Sequence, residues 1–229
     1  MRSNEISSQK LAKSLSLKDK ALLIIKTALI NGDIKEEVIY SVPNLAQQLG
    51  ISSTPVREAI LELVKDGLLT SVPNKGFKLL KYDDNKLSQI TEIRVLLEVR
   101  VSVEIAKNIK KSDLDILRKY AQDTLEYAQE DKLIEFLQAD REFHIHFLGL
   151  ANNPFLVEIT ENLRDRARMS VLQFLIKSGR LRQAAQEHIS IVDALEKKDL
   201  ANVAKFVEGH INLTIEALND ARLVIRAAH

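Results

Sequence analysis

Apolar residues recur every three or four positions over most of this chain, and the pattern shortens to extended pieces only near residues 38–42 and 68–82. The run LSLKDKALLIIKTALIN predicts a helix over 17–31, with Leu22, Ile25 and Leu29 on one face and Gly32 as its stop. An extended piece is expected over 38–42. Pro43 then stands where a helix can begin, and PNLAQQLG gives about two turns ending at Gly50. Ser52 or Ser53 can cap the next helix, whose apolar stripe is Val56, Ala59, Ile60, Leu63 and Val64 and which Gly67 ends. LLTSV and FKLLKY are β-prone and are joined by Pro73, Asn74, Lys75 and Gly76, a turn composition. Helix, strand, helix, tight turn, helix and hairpin is the order of a winged helix-turn-helix.

Past Tyr82, Asp83, Asp84 and Asn85, a polar junction, the pattern becomes helical throughout. Helices are expected at roughly 86–109, 112–130, 131–151, 153–177, 180–197 and 199–225, with Ser112, Asp131, Asn153 and Asp199 at the starts of four of them. The connections are short, so neighbours run antiparallel and form a bundle. The expected fold is therefore mainly α, with an N-terminal winged helix-turn-helix domain over 18–81 and a C-terminal antiparallel all-helical bundle over 86–229. A polar arm over 1–17 precedes them, and a linker over 82–85 joins them.

Composition changes this picture little, and charge changes it somewhat. The 229 residues include no cysteine, which excludes disulfides and thiolate chemistry and suits a cytoplasmic protein. No apolar run approaches the roughly 18 residues of a membrane span, and the N-terminus has no apolar signal-type segment. The net charge of +1 is unevenly spread: residues 1–82 carry 12 Lys or Arg against 8 Asp or Glu, while the remainder carries 21 against 24. The N-terminal part is the one suited to nucleic acid.

The stretch ISSTPVREAILELVKDGLL has the chemistry such a partner needs. A helix entering the major groove brings its first turn close to the DNA backbone. Small hydroxyl residues such as Ser52, Ser53 and Thr54 permit that approach and can donate to phosphates, as can the unpaired N–H groups of a helix start. Arg57 lies opposite the apolar stripe, where its fork can pair with guanine O6 and N7. Lys75 and Lys78, on the hairpin, can reach phosphate. The alternative is a capped amphipathic helix with a surface arginine. LAQQLGISSTPVREAILELVKDGLLTSVPNKGFKL resembles the DNA-binding domain of the GntR family of bacterial transcription regulators over residues 18–81. Two departures stand out. Ser53 occupies a position where the family usually has Arg, and Glu36, Glu37 and Val38 replace a frequent Pro-Gly. The first implies an altered or relaxed operator, with Arg57 as the main reader.

Five histidines occur, at 144, 146, 188, 210 and 229. Asp140 and His144 are one helical turn apart and share a face. His188 precedes the break near Lys198 and Asp199 by about ten residues and His210 follows it by about eleven, so an antiparallel hairpin sets them at the same height. One carboxylate and three imidazoles make a first shell for a divalent first-row ion with positions left open. Zinc is the ion expected, with nickel, manganese and iron as alternatives. His146 is rotated about 200° from His144 and His229 is terminal, so both are left out. Residues 86–222 resemble the FCD domain attached to one GntR branch. The resemblance implies that Asp140, His144, His188 and His210 hold the metal, that an organic acid effector docks over it, and that Arg94 faces the effector carboxylate rather than pairing helices.

The sequence thus leads to a ligand-responsive regulator, by family habit a repressor and not an enzyme. It is expected to bind a palindromic operator in double-stranded DNA as a homodimer and to answer a small organic acid, with no membrane partner. Two rivals stand beside it: a constitutive regulator with a purely structural metal site, and a metal-dependent hydrolase, for which Glu142 and Glu187 are the nearby carboxylates.

Overall fold

The computed structural model describes residues 15–35, 38–80, 83–177 and 179–227. Most of the arm, Glu36 and Glu37, Tyr82 and His229 lie outside the described residues. The head begins with α1 (Leu17–Asn31), where Ser16 and Asp19 form a reciprocal capping box and Gly32 closes the helix in the left-handed region. α2 (Val42–Leu49) is capped by Ser41, and Gly50 turns the chain into α3 (Ser53–Lys65). The hairpin β1 (Leu69–Val72) and β2 (Gly76–Leu79) pairs antiparallel with Leu69 opposite Leu79. The extended piece expected over 38–42 is reduced to a single bridge, Tyr40 against Phe77, which makes Tyr40 the third rung of the wing. Ala21, Ile25 and Leu29 of α1 bury against Val56, Ala59, Ile60 and Leu63 of α3, and Phe77 closes the core from the hairpin.

The bundle contains α4 (Asp84–Arg94), α5 (Arg100–Asn108), α6 (Lys111–Gln129), α7 (Leu133–Gly149), α8 (Pro154–Lys177), α9 (Arg180–Glu196) and α10 (Leu200–Ala227). The helix expected over 86–109 is not uniform: a π turn, Val95–Val99, joins α4 to α5. Single π turns of this kind widen a helix locally and are frequent at functional sites. This one carries two buried charges, Arg94 at its entrance and Glu98 within it. Two expected caps differ. Lys110 precedes α6 and Lys132 precedes α7, neither with a side-chain cap bond, and Asp131 takes a positive φ of 56° in the turn. Asn153 and Asp199 do accept from backbone N–H groups, of Leu156 and Asn202. The main core unites Leu117 and Ala121 of α6, Phe143 and Phe147 of α7, Ile191 and Leu195 of α9 and Val207 and Ile211 of α10. It grips the two helices that form the C-terminal hairpin, and so fixes the height of the histidines on them.

Candidate metal centre and nucleic-acid interface

Asp140, His144, His188 and His210 come together: one donor atom from each lies within 4.8 Å of the other three. α7 supplies the first two, one turn apart, and α9 and α10 supply one each from either side of their turn. The His144 Nε2 is 3.1 Å from that of His188 and 3.2 Å from that of His210. Nitrogens bound about 2.1 Å from a common ion stand about 3.0 Å apart at right angles and about 3.4 Å apart at the tetrahedral angle. The observed spacing falls between these values. Asp140 Oδ1 completes the set, 3.5 Å from His188 Nε2 and 3.8 Å from His144 Nε2.

The surroundings prepare these atoms as ligands. The Thr124 hydroxyl donates to the Ala121 carbonyl at 2.8 Å, so it is a lone pair that faces His188 Nδ1 at 3.2 Å. Nδ1 therefore carries the proton, and Nε2 presents its lone pair to the centre. The Glu187 carboxylate does the same for His210, 2.9 Å from Nδ1. Arg164 donates to Asp140 Oδ2 at 3.2 Å and leaves Oδ1 toward the imidazoles. Phe143 stacks on His188 with ring centroids 4.4 Å apart and meets His144 edge-on. His188 is fully buried, and burial pushes its pKa well below the ordinary value, with the neighbouring His210 adding to the effect. Burial also lowers His144, helped by the Arg164 guanidinium. Neutral imidazole is the form that binds a metal. The donor set, its spacing and its protonation all fit a divalent ion.

Beside the centre lies a small, partly open cavity. Asp140, His210, Arg94 and Arg164 line it together with Phe136, Leu137, Leu175, Leu181 and Leu213, among others. Arg94, expected to face an effector carboxylate, lines this cavity beside the Asp and His cluster, but it is buried and bonded to Glu98 Oε1 at 2.7 Å. Sequence reasoning missed Glu98, Arg164 and Thr124. An acid inside the apolar run VLLEV, one turn after Arg94, was the available signal for Glu98. Glu187 is not poised as a base on a vacant position but engaged on His210, and Glu142 is not among the clustered groups. His146 faces away, 4.0 Å from Asp113 and beside the Tyr120 ring.

In the head, Ser52 occupies the N-cap of α3 but makes no side-chain cap bond. Ser52, Thr54 and Arg57 are exposed and Ser53 is half-buried. Lys75 is exposed at the tip of the hairpin, while Lys78 is half-buried on β2 opposite Thr70. A groove between α3 and the wing is lined by Arg57, Leu61, Ser71 and Lys75 among others. Gly76 sits at φ 139°, and a Cβ there would stand 2.0 Å from the Tyr40 carbonyl oxygen, so the wing closes on this strand only with glycine. Among the described residues, no helix is long and apolar enough to cross a membrane.

A winged helix-turn-helix head followed by a helical sensor bundle defines a class of bacterial transcription regulator. The family model for bacterial regulatory proteins of the gntR family matches residues 17–79, and that for the FCD domain matches residues 89–213. The chain belongs to the GntR family, in the branch that carries an FCD domain; this is a family of regulators and not of enzymes. It is 30% identical over 167 residues to the Nta operon transcriptional regulator of Aminobacter aminovorans, covering 73% of this chain and 78% of that one. It is 24% identical over 205 residues to the transcriptional repressor GlaR of Escherichia coli, covering 86% and 93%. Among solved structures it is similar to E. coli McbR/YncC, with a TM-score of 0.73, 25% identity, and coverage of 91% of this chain and all of that one.

Proposed function

We propose that this chain is a ligand-responsive repressor. In this reading the head over 18–81 binds a palindromic operator in the cytoplasm, and the bundle over 86–229 holds a divalent metal ion and senses a small carboxylate beside it. The observation that carries the sensor half is the convergence of three imidazole Nε2 atoms and one carboxylate oxygen on one point, next to a cavity lined by two arginines. Asp140, His144, His188 and His210 hold the ion, with zinc the expected occupant. The ion supplies a positively charged, Lewis-acidic seat for a carboxylate. Arg164 holds Asp140, and Thr124 and Glu187 hold the two rings, so this chain's own residues keep the seat in one geometry. Arg94, held by Glu98, lines the same cavity.

The DNA half rests on α3. Exposed Thr54 and Arg57 at its start, with Ser52 and Ser53 and the wing lysines Lys75 and Lys78, form the phosphate- and base-facing surface. A second copy is expected to cover Ile93, Leu96, Phe155 and Ile159, exposed apolar residues on two helical segments that pack on each other. That pairing gives the two-fold symmetry that a palindrome needs.

The test is a gel-shift titration of operator DNA selected from random sequence. Arg57→Ala is expected to lose specific binding while far-UV circular dichroism and melting temperature stay as in the parent chain. Operator affinity unchanged by Arg57→Ala rules out this recognition surface. For the sensor half, zinc-loaded chain is titrated with carboxylic acids, and binding that disappears in His188→Ala is expected. Failure of every acid to bind favours a constitutive regulator with a structural metal.

A further inference from the structure

Leu61 is 56% exposed on α3, the helix proposed above to meet DNA. A single exposed leucine is ordinary on a protein surface, so what matters is where this one sits. We infer, resting on the DNA-binding reading above, that Leu61 is a specificity-determining residue of that surface: it packs on the C5-methyl group of a thymine one or two base pairs from the guanine read by Arg57.

Its place on the helix singles it out. At about 100° per residue, Thr54, Arg57 and Leu61 fall within about 60° of one another around α3, on the side away from buried Val56, Ala59, Ile60 and Leu63. All three are exposed. Arg57 and Leu61 also line the groove between α3 and the wing, together with Ser71 and Lys75. Glu58 and Glu62 lie toward the other edge of the exposed side, where Lys18 of α1 pairs with Glu62 at 2.5 Å and also feels Glu58. The edge that faces the wing therefore carries the cations Arg57 and Lys75, which a phosphate backbone needs, with Leu61 between α3 and the hairpin. Four residues of helix rise about 6 Å and successive base pairs about 3.4 Å, so Leu61 meets a base one or two pairs from that of Arg57.

The chemistry of the base edges selects the partner. In the major groove guanine, adenine and cytosine present hydrogen-bonding groups, and thymine alone adds a methyl group. A leucine pressed on a donor or acceptor strips its water and returns no hydrogen bond. Against the thymine methyl the same contact buries carbon on both sides. Arg57 and Leu61, one helical turn apart, thus read complementary features: a guanine edge through hydrogen bonds and a thymine methyl through apolar contact.

The experiment uses the full-length chain and operator DNA that it selects from random sequence. Each thymine of one half-site is replaced in turn by deoxyuridine, which keeps every hydrogen-bonding group and lacks only the methyl. Affinity is read by fluorescence anisotropy at fixed salt. In the parent chain one thymine is expected to cost about fourfold in affinity when replaced, and to lie within about two base pairs of a guanine whose N7 is also needed, as 7-deazaguanine reports. In Leu61→Ala, with parental circular dichroism and melting temperature, that thymine penalty is expected to vanish. Deoxyuridine tolerated at every position by the parent chain overturns the inference. So does a thymine penalty that persists in Leu61→Ala, which assigns the methyl contact to another side chain such as Thr54. Weaker self-association of Leu61→Ala without DNA, measured by sedimentation equilibrium, overturns it as well by assigning Leu61 to a contact between protein chains. Each of these results leaves a DNA-binding head standing, whereas failure of the parent chain to select any operator removes that reading itself.

Discussion

At the scale of single residues, the candidate metal centre is shaped by side chains outside its four donors. Thr124 is fully buried on α6 and fixes the protonated nitrogen of His188 from across the bundle, 64 positions away in sequence. Thr124→Val keeps the shape and removes the acceptor, so His188 Nδ1–H loses its partner. Zinc affinity, measured by competition with a chromogenic chelator, is expected to fall about 10- to 100-fold, with the helical circular dichroism signal retained; unchanged affinity would show that Thr124 plays no part in orienting the ring. The clustering of Asp140, His144, His188 and His210 was legible in sequence. Helical spacing joins Asp140 to His144, and the position of the α9–α10 turn fixes the relative height of His188 and His210. Of the outer partners only Glu98 left a signal, an acid in the apolar run VLLEV one turn after Arg94. Thr124 and Arg164 meet the site through tertiary packing, and nothing in their local spacing marks them out from other threonines and arginines of amphipathic helices.

At the scale of elements, the helices of the bundle follow from long runs of 3.6-residue periodicity, and their ends fall within about two residues of those expected, the ordinary uncertainty of helix ends. The π turn at Val95–Val99 was hidden for a physical reason. It changes hydrogen bonding without interrupting the apolar composition, and no Pro or Gly marks it. The wing shows the opposite situation, where one glycine decides the element. Tyr40 and Phe77 exchange backbone hydrogen bonds in both directions, at 2.8 and 2.9 Å, and this brings the Tyr40 carbonyl against Gly76 Cα. Gly76→Ala would press a methyl group onto that carbonyl at a positive φ. The cost is expected to be on the order of 1–3 kcal/mol, seen as a lower melting temperature and as weaker operator binding from a displaced hairpin. A fully parental melting curve and operator affinity would mean that the Tyr40 bridge gives way without consequence and that the wing is not held by it.

At the scale of the whole molecule, α8 links the helical bundle to the winged head. It carries Arg164, bonded to Asp140 beside the metal ligands, and it packs against α1 of the head. Close by, Arg141 of α7 pairs with Glu161 and Asp165 of α8. Asp66, at the end of α3, feels both Asp165 and Arg141, although burial is the main cause of its raised pKa. These interactions offer a route by which a change at Asp140 would be felt at the end of α3. Such coupling is a free energy shared by the two sites, about 1–3 kcal/mol in typical regulators, and it must be reciprocal. If a bound acid changes operator affinity by a given factor, bound operator must change acid affinity by the same factor and in the same sense. Fluorescence anisotropy of labelled operator with and without a carboxylic acid that the chain binds gives the first, and calorimetry with and without operator gives the second. Arg141→Ala touches neither the metal donors nor the DNA-facing surface, and it is expected to bring both factors toward one while each ligand alone binds with parental affinity. Coupling that survives Arg141→Ala undiminished would place the route elsewhere than the Arg141, Asp165 and Asp66 charges.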